Sequence, residues 1–600
     1  MCNNFKSHRV VHPHLYNLTS ILRQWETTVT IENKPRRTDQ SKPDEAKPDE
    51  PGEYSHSASS IPTANMTTRP SRPRTDRVVF GVTSAMVISI LAWGLLRPES
   101  LSATMSSTLN WVVTNLGWLF IASATGFVLF AVWLAISRYG SIPLGQDGEK
   151  PEFNTISWIA MMFSAGMGIG LIFWGVTEPL THFVQPPPGI SDSTVGTAMA
   201  TALFHWGLHP WSMYAVVGLS IAYGTYRMGR KQLISSSFIP LIGKRAEGPI
   251  GKVIDILAIF ATMFGTAASL GLGALQIGSG LQVIGWVGEA GTLLLVAIVS
   301  ILTLAFVASA VSGISRGIQW LSNINMVLAL ILALFVFVLG PTVFILNLLP
   351  TTLSDYASQL ASMAARSAAS GDASTETWLS SWTIFYWAWW ISWTPFVGMF
   401  LARISRGRTI RQFVVGVILI PSSVSLVWFA IFGGAAIGSQ RNGDDLFARG
   451  AAESQLFGML DGLPLAGFSS VLVMILVAIF FVSGADAASI VMGTLSQRGT
   501  LEPSRWTVAF WGVATGGVAV LMLWTGGSDA LNGLQTMTII VAAPFVFVMI
   551  GMCVSLFRDV THDPSMVRPD GSKTNKPPFA KTPGAQTQVA RTQVDTTQVD

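Results

Sequence analysis

The feature that most constrains this chain is a succession of long apolar segments separated by short polar ones. Half of its 600 residues are hydrophobic and only 12% are charged, whereas about a quarter of an ordinary soluble domain is charged. A helix needs about 20 apolar residues to cross a hydrocarbon core of about 30 Å. Segments of this kind lie at 78–96, 111–136, 156–180, 197–224, 253–282, 291–311, 318–348, 380–402, 413–438, 466–495, 506–526 and 532–557. They predict an all-α membrane protein with twelve transmembrane helices, embedded in the lipid of the cell membrane.

Basic side chains are distributed unevenly between the loops that join these segments. If the N-terminus lies inside the cell, the inner loops hold fifteen lysines and arginines and the outer loops hold four. Lysine and arginine collect in the cytoplasmic loops of membrane proteins. The asymmetry therefore predicts an even number of crossings and places both termini in the cytoplasm.

The two ends of the chain differ in composition from the apolar part. Residues 1–75 repeat Lys-Pro-Asp-Glu, and residues 559–600 repeat Thr-Gln-Val. Such polar, low-complexity segments bury too little apolar surface to fold, so we expect disordered cytoplasmic tails around a membrane domain at 76–558. The sequence shows no cleaved signal, disulfide framework, P-loop or metal-ligand spacing. It therefore indicates neither an enzyme nor a cofactor nor a nucleic-acid partner.

The predicted eighth span contains five tryptophans, a tyrosine and a phenylalanine within the twelve residues from Trp382 to Trp393. Aromatic faces bind cations that cannot donate hydrogen bonds, such as a quaternary ammonium. The alternative is an aromatic belt at the membrane surface. At about 1.5 Å per residue, Trp382 lies roughly 32 Å from Arg403 at the inner end of the span, and Trp393 about 15 Å. Trp382 thus fits the outer surface, whereas Trp389, Trp390 and Trp393 fit the middle of the membrane.

A second aromatic cluster, in the predicted fourth span, contains Trp206, Trp211 and Tyr214. A proline accompanies each cluster, Pro210 in the fourth span and Pro395 in the eighth. Proline removes a backbone hydrogen bond and frees a carbonyl in the membrane interior. Core packing explains one tryptophan well, but it explains two such clusters less well.

The fourth span also contains two histidines, His205 and His209. Either could handle a proton. The favoured alternative is a hydrogen bond to a neighbouring helix.

The predicted third span contains three glycines at alternate positions, Gly166, Gly168 and Gly170. Each costs about 1 kcal/mol of helix propensity relative to alanine. Close helix packing through the GxxxG spacing is one explanation. The other is a discontinuous helix whose unwound backbone lines a cavity. Because Gly168 lies roughly 22 Å of helix beyond Phe153 at the cytoplasmic end, this segment falls inside the bilayer.

Two further spans carry polar groups. Asp486 in the tenth span could mark an ion path or a proton relay, or it could cap a helix or pair with Arg498. In the fifth span, Thr262 and Thr266 lie one turn apart on one face and could bind an ion through their hydroxyls. Alternatively, each hydroxyl bonds back to a carbonyl one turn earlier.

Together, the glycine segment 166–170, the set of Trp206, Trp211 and Tyr214, and the segment 382–393 resemble the betaine/choline/carnitine transporter family. The closest resemblance is to its sodium-coupled glycine betaine and ectoine carriers. The resemblance extends from about Phe153 to Pro544 and excludes both tails.

The resemblance implies a specific architecture. Ten of the twelve helices would form two inverted five-helix repeats, of the kind found in amino-acid/sodium symporters, at about 153–348 and 374–557. Two extra helices would precede them. The substrate would lie between the repeats, near the middle of the membrane.

The resemblance also implies the residues that bind substrate. An aromatic box would hold the ammonium, formed by Trp206, Trp211, Tyr214 and Trp390. Trp389 and Trp393 would line the inner path. The backbone of Gly166, Met167 and Gly168 would contact the substrate carboxylate.

Two sodium sites follow from the same resemblance. One would use backbone carbonyls of the third span together with a carbonyl and two hydroxyls of the tenth, at Ser164, Met167, Phe480, Ser483 and Gly484. Gly484 stands where the family usually has a serine, which predicts a weaker site. The other site would use Thr262, Thr266 and Phe396.

Two comparisons within the family favour sodium coupling and a carboxylated substrate. Sodium-independent antiporters of the family have a fixed arginine in the fifth span, but no lysine or arginine lies between Val253 and Gln282 here. Proton-coupled choline carriers tend to replace a glycine of the third span with aspartate, whereas this chain retains all three. Family members are often trimers, which implies a homotrimer with Leu353–Arg366 at the interface.

The sequence therefore predicts a carrier that couples inward sodium flow to uptake of a zwitterionic compatible solute such as glycine betaine, ectoine or proline, for osmoprotection. Sodium would be the coupling ion, and no cofactor is expected. One alternative is a proton-coupled choline or carnitine carrier that uses Asp486. Another is a receptor that binds the osmolyte without moving it.

Overall fold

The computed structural model describes residues 74–166, 168–191, 194–312, 315–526 and 530–566. Within these ranges the regular structure is helical, apart from an isolated β-bridge between Pro143 and Thr409. The α-helices are α1 Arg77–Leu96, α2 Pro98–Ile136, α3 Thr155–Gly166, α4 Ile169–Val184, α5 Val195–Trp206, α6 Leu208–Ala222, α7 Ile239–Ile242, α8 Pro249–Val283, α9 Thr292–Ser312, α10 Ser315–Leu339, α11 Thr342–Ala365, α12 Ala373–Leu379, α13 Phe385–Ile404, α14 Ile410–Arg441, α15 Ala452–Asp461, α16 Ala466–Ser496, α17 Arg505–Gly526 and α18 Ala530–Thr561.

Short helical segments of other types join some of these helices. The π-helical segments are Tyr223–Arg227 and Ser380–Ile384. The 3-10 turns are Arg138–Ser141, Ser235–Phe238, Gly243–Glu247, Ala368–Ser370 and Phe447–Arg449. The predicted tails, 1–75 and 559–600, lie outside the described residues except for 74, 75 and 559–566.

Each of the twelve predicted apolar segments coincides largely with one or two of these helices, although 223–224 and 380–384 are π-helical. By length and composition, eight helices of the described part could cross a membrane, or nine if the bent pair α10 and α11 counts as one crossing. The third and fourth predicted spans do not meet this criterion because each is interrupted, and α13 does not because tryptophans and polar residues lower its mean hydropathy. The protein is thus all-helical with many apolar helices, whereas twelve crossings and two inverted repeats stay predictions.

The predicted seventh span, 318–348, ends earlier than expected. α10 stops at Leu339, and α11 starts at Thr342 with a bend of 108° between them. Gly340 and Pro341 lie at the bend. Proline cannot continue a helix and keeps the residue before it out of helical geometry. The last residues of the predicted span therefore belong to a different helix.

Two other helices extend past their predicted limits. α2 begins at Pro98 rather than 111 and has 39 residues, a length of about 58 Å, so it must project beyond a hydrocarbon core of about 30 Å. α18 continues to Thr561. Beyond residue 558, Asp559 pairs with Arg230 at 2.6 Å, and Asp563 pairs with Arg227 at 2.9 Å.

The helices that carry the aromatic clusters pack side by side. α13 packs along α6, and it also contacts α8 and α18. The approach of α6 and α13 depends on two glycines, Gly218 and Gly398. A Cβ atom on Gly398 would lie 2.7 Å from Val217 Cγ1 and 3.1 Å from the Gly218 nitrogen. Small residues at a crossing point let helices approach closely in a membrane, and here they bring both clusters to one place.

Candidate functional site: an aromatic cavity

Both aromatic clusters line a single cavity between α4, α6 and α13. Its lining includes every aromatic residue that the sequence predicts for the substrate site: Trp206, Trp211, Tyr214, Trp389, Trp390 and Trp393. The half-buried Trp382 lies elsewhere, with its ring 4.5 Å from that of His182. The structure thus separates the outer tryptophan from the inner ones, as their distances along the helix predicted.

The aromatic rings around the cavity meet at steep angles. The ring centroids of Trp206 and Trp390 are 4.8 Å apart with an interplanar angle of 79°, and those of Tyr214 and Trp390 are 6.2 Å apart at 79°. Trp389 stacks on Trp390 at 4.9 Å and 14°. The edge-to-face contacts of Trp390 with Trp206 and Tyr214 are favourable because the positive edge of one ring meets the negative face of another. Trp390 lies at the centre of this arrangement.

Three of the cavity indoles each donate an N–H to a protein acceptor. Trp206 Nε1 donates to Glu178 Oε2 at 2.7 Å, Trp389 Nε1 to Ser269 Oγ at 3.1 Å, and Trp390 Nε1 to the His205 carbonyl at 2.9 Å. A buried indole N–H without a partner would be costly. These three indoles therefore have no free N–H donor to offer a ligand in the cavity.

The glycine-rich segment forms the opposite side of the cavity. α3 ends at Gly166, and α4 starts at Ile169 after Gly168, whose backbone is extended (φ −172°, ψ 180°). This confirms the discontinuous helix that the glycine spacing allowed. Gly168, Ile169, Gly170 and Leu171 all line the cavity, whereas Met167 lies outside the described residues.

Gly170 shows why this segment needs glycine. A Cβ atom there would lie 2.6 Å from the Trp389 ring and 2.8 Å from the Trp206 ring. The helix interruption separates Gly166 from Gly170, so the two glycines do not form a GxxxG packing motif on one helix. Gly170 instead leaves room for the two indole rings.

Neither proline interrupts its α-helix, and the carbonyl predicted to be free at Pro395 has a partner. Pro395 lies inside α13, which stays α-helical. The Ile391 carbonyl, which loses its usual partner at Pro395, accepts a hydrogen bond from Thr394 Oγ1 at 2.7 Å, so it is not free. In the fourth span the interruption is at Gly207, and Pro210 lies in the first turn of α6, where a missing N–H costs nothing.

The sequence missed a buried carboxylate, Glu178 of α4. Its Oε1 atom lies 2.6 Å from His205 Nδ1, and its Oε2 atom accepts hydrogen bonds from Trp206 Nε1 at 2.7 Å and Tyr386 Oη at 2.6 Å. His182 Nε2 is 3.5 Å away. The available signal was an acid inside an apolar span, which is rare and usually functional.

The two histidines of the fourth span have different environments. His205 bonds to Glu178 and, through Nε2, to Thr383 Oγ1 at 3.0 Å, which confirms the expected bond to neighbouring helices. His209 instead stacks on Trp387 at 5.3 Å and 19°. Neither ring nitrogen of His209 has a hydrogen-bond partner among the described residues.

The candidate sodium ligands of α8 differ from each other. Thr262 Oγ1 donates back to the Ala258 carbonyl at 2.8 Å, the alternative weighed for it. The buried Thr266 hydroxyl has no partner in the part of the chain that the structure describes. Phe396 lies on α13, which packs against α8, with its ring 5.6 Å from that of Trp393.

The other candidate sodium site is only partly described. Ser483 Oγ donates to the Ile479 carbonyl at 2.9 Å, and Gly484 has open space where a side chain would be. Phe480 lies on the same helix, α16, and Ser164 lies on α3. Because Met167 lies outside the described residues, this ligand set stays a prediction.

Asp486, the candidate for an ion path, is buried in α16. The alternative of a salt bridge to Arg498 is not found, since Arg498 approaches Asp76 instead, at 3.8 Å. The side chain of Asp486 forms neither a hydrogen bond nor an ion pair with any of the described residues.

Comparisons with known proteins point to one family. A family model for the betaine/carnitine/choline family of transporters matches residues 78–565. The betaine/ectoine transporter LcoP of Corynebacterium glutamicum is 47% identical over 498 residues, which are 82% of this chain and 79% of that protein. The glycine betaine transporter OpuD of Bacillus subtilis is 42% identical over 502 residues, 83% of this chain and 97% of that protein. Glycine betaine transporter 1 of Vibrio parahaemolyticus is 40% identical over 488 residues, 80% of this chain and 92% of that protein.

Proposed function

Because the chain belongs to the betaine/carnitine/choline transporter family, we propose that it couples inward sodium flow to the uptake of a zwitterionic compatible solute such as glycine betaine, ectoine or proline. The relatives are transporters and not enzymes, and their names specify betaine or ectoine as the solute. Uptake of such a solute would serve osmoprotection.

The observation that carries this proposal is the aromatic cavity. Trp206, Trp389 and Trp390 use their N–H groups on protein acceptors, so their ring faces are what the cavity offers. A quaternary ammonium has no hydrogen to donate and is attracted to such faces by about 0.5–2 kcal/mol per contact. Trp206, Trp211, Tyr214 and Trp390 would form the box that holds it.

The interruption between α3 and α4 supports binding of the substrate carboxylate on the other side of the cavity. The first backbone N–H groups of a helix have no partner within it, and a helix N-terminus stabilises an anion. We assign this role to the backbone at Gly166, Met167 and Gly168. A solute with an ammonium at one end and a carboxylate at the other would satisfy both sides.

Sodium coupling is supported by the polar groups of α8 and α16. The Thr266 hydroxyl is buried without a partner in the described part of the chain, and hard cations prefer oxygen ligands. We propose one sodium site at Thr262, Thr266 and Phe396. A weaker site would use Ser164, Met167, Phe480 and Ser483, with Gly484 contributing no hydroxyl.

The proposal places the protein in the cell membrane with both termini in the cytoplasm, as a homotrimer. The predicted interface, Leu353–Arg366, lies mostly within α11. That helix buries Tyr356 and Met363 against the rest of the chain and exposes Leu346 and Leu353. Exposed apolar side chains on one side of a helix suit contact with a second subunit or with lipid.

Uptake into proteoliposomes tests this function. The purified full-length protein would be given labelled glycine betaine with and without an inward sodium gradient, and with ectoine, proline or choline as competitor. We expect accumulation only with the gradient, and stronger competition from ectoine than from choline. Binding without accumulation in sealed vesicles would contradict transport and favour a receptor.

The environment of Asp486 favours one alternative, coupling to protons. A buried carboxylate without an assigned partner among the described residues is the kind of group that relays protons in membranes. A pH gradient in sodium-free buffer would then drive uptake, and Asp486→Asn would abolish it. Under sodium coupling we expect neither effect.

A further inference from the structure

One buried carboxylate, Glu178, connects three of the helices that carry residues of the aromatic cavity. It lies on α4 and is fully buried. It accepts hydrogen bonds from Trp206 at the end of α5 and from Tyr386 on α13. Both partners are far away in sequence, but all three groups meet at distances of 2.6–2.7 Å.

Its contact with His205 extends this connection to a second cavity indole. His205 Nδ1 lies 2.6 Å from Glu178 Oε1, and the carbonyl of the same histidine accepts the Trp390 N–H at 2.9 Å. The other ring nitrogen bonds to Thr383 Oγ1. Glu178 thus bonds directly to Trp206, and it reaches Trp390 through His205.

Burying a carboxylate costs free energy, so a buried carboxylate is stable only where hydrogen-bond donors compensate the lost hydration. Here the donors are Trp206, which lines the cavity, and Tyr386, which does not, and no arginine or lysine of the described residues pairs with Glu178. The bonds fix the two indoles that meet edge to face at 4.8 Å. A small rotation of either ring would change the faces that a ligand meets.

We propose that Glu178 is a positioning residue of the substrate site, which sets the orientation of Trp206 directly and of Trp390 through His205, and thereby sets the affinity for the substrate ammonium. This inference rests on the proposed function. It extends the site to a residue that does not line the cavity.

A metal site is the competing explanation for this cluster. Ligand atoms of Glu178, His182 and His205 all lie within 4.8 Å of one another. A metal would, however, have to displace the bond between Glu178 and His205. If a metal shaped the site, a chelator would weaken ligand binding by the unmodified protein. Positioning by hydrogen bonds predicts no effect of a chelator.

Two substitutions separate hydrogen bonding from charge. Glu178→Gln keeps an oxygen for Trp206 and Tyr386, and its amide can donate to His205 Nδ1 when His205 carries its proton on Nε2 and donates to Thr383. Glu178→Leu removes every one of these bonds. The matched control is Glu376→Leu, since Glu376 is a half-buried carboxylate outside the cavity lining that accepts a hydrogen bond from Thr114 Oγ1 at 3.1 Å.

The readout is the glycine betaine dissociation constant of the full-length protein, measured by tryptophan fluorescence, with sodium-driven uptake measured in parallel. We expect Glu178→Leu to raise the constant about tenfold or more, because indole and phenol donors lose their acceptor. Glu178→Gln should stay within about threefold, as one weakened hydrogen bond allows. The control should match the unmodified protein.

A double-mutant cycle checks that Glu178 acts through Trp206. Trp206→Phe has no N–H to position, so adding Glu178→Leu to it should cost much less than Glu178→Leu alone. Size-exclusion profiles and melting temperatures identify variants that fail to fold. If Glu178→Leu fails to fold, Tyr386→Phe, which removes one of the donors to Glu178, takes its place. We then expect a higher dissociation constant for Tyr386→Phe but not for Glu178→Gln.

Three results would overturn the inference: a glutamine variant as weak as the leucine variant, fully additive costs in the cycle, or loss of binding on chelation. If the unmodified protein neither binds nor transports glycine betaine, the proposed function fails and this inference fails with it. If it does both and the Glu178 variants bind like it, only this inference fails.

Discussion

The two sides of the proposed substrate site are built in different ways. The cation side consists of side chains on helices. Hydrogen bonds join three of its indoles, Trp206, Trp389 and Trp390, to Glu178, Ser269 and the His205 carbonyl respectively. The carboxylate side consists of backbone at the interruption between α3 and α4. Substitution can therefore remove a group from the first side. On the second side a substitution within the glycine segment itself acts only by crowding or displacing the chain.

The largest expected effect lies on the cation side, where one indole is central. Trp390→Leu should raise the KM for glycine betaine by at least about thirtyfold, because a desolvated cation–π contact contributes about 2 kcal/mol. Trp382→Leu should leave KM within about twofold, since its ring lies outside the cavity lining. Sodium-driven uptake in proteoliposomes measures both. Equal tolerance of the two changes would contradict the assignment of the aromatic box.

The next effect concerns the carboxylate side. Gly170→Ala places a methyl group against the rings of Trp389 and Trp206, and overpacking of this kind costs about 1–3 kcal/mol. We expect a KM increase of about tenfold, since about 1.4 kcal/mol corresponds to a factor of ten. The matched control is Gly126→Ala in α2, where no atom lies within 4 Å of the added carbon.

The comparison of Gly170→Ala with its control also shows whether the backbone side of the site tolerates crowding. If Gly170→Ala transports normally, the indoles can withdraw from the glycine segment, and the two sides are less distinct than the structure indicates. If Gly126→Ala is as impaired as Gly170→Ala, the effect comes from lost backbone freedom and not from contact with the rings.

Sequence predicted the parts of this site that follow from position along one helix. Helical spacing and distance from Arg403 separated Trp382 from Trp390, and the structure places only the latter in the cavity lining. The alternating glycines allowed a discontinuous helix, which is present. Such features depend on neighbours in the chain, so a pattern within one segment reveals them.

The partners that fix the indoles were not predicted because they come from distant segments. Ser269 lies 120 residues from Trp389, and His205 lies 185 residues from Trp390. No periodicity connects such positions. The free carbonyl expected at Pro395 was wrong for a different, local reason: the hydroxyl of Thr394 donates to the Ile391 carbonyl in α13.

A smaller effect concerns the proposed sodium sites and should improve function. Gly484→Ser would restore the hydroxyl that the family usually has, and open space is available for it. One added polar contact contributes about 1 kcal/mol, so sodium affinity should rise about fivefold. The sodium dependence of uptake measures it. An unchanged sodium dependence would mean that α16 does not supply a ligand at this position.

The smallest effect concerns a side chain on the backbone side of the site. Ser425 of α14 is buried and lines the cavity, one turn before Trp428, whose Nε1 donates to the Leu171 carbonyl at 2.8 Å. Its hydroxyl therefore lies near the start of α4, where we place the substrate carboxylate. Ser425→Ala should weaken glycine betaine about threefold, the value of one modest hydrogen bond.

Choline and a neighbouring serine provide the controls for this last prediction. Choline lacks a carboxylate, so its competition should not change in Ser425→Ala. Ser423→Ala should be neutral for both solutes, because Ser423 is exposed and its hydroxyl donates to the Leu419 carbonyl. An equal loss of glycine betaine and choline in Ser425→Ala would place this hydroxyl near the ammonium instead, and the division between a side-chain side and a backbone side would then need to be redrawn.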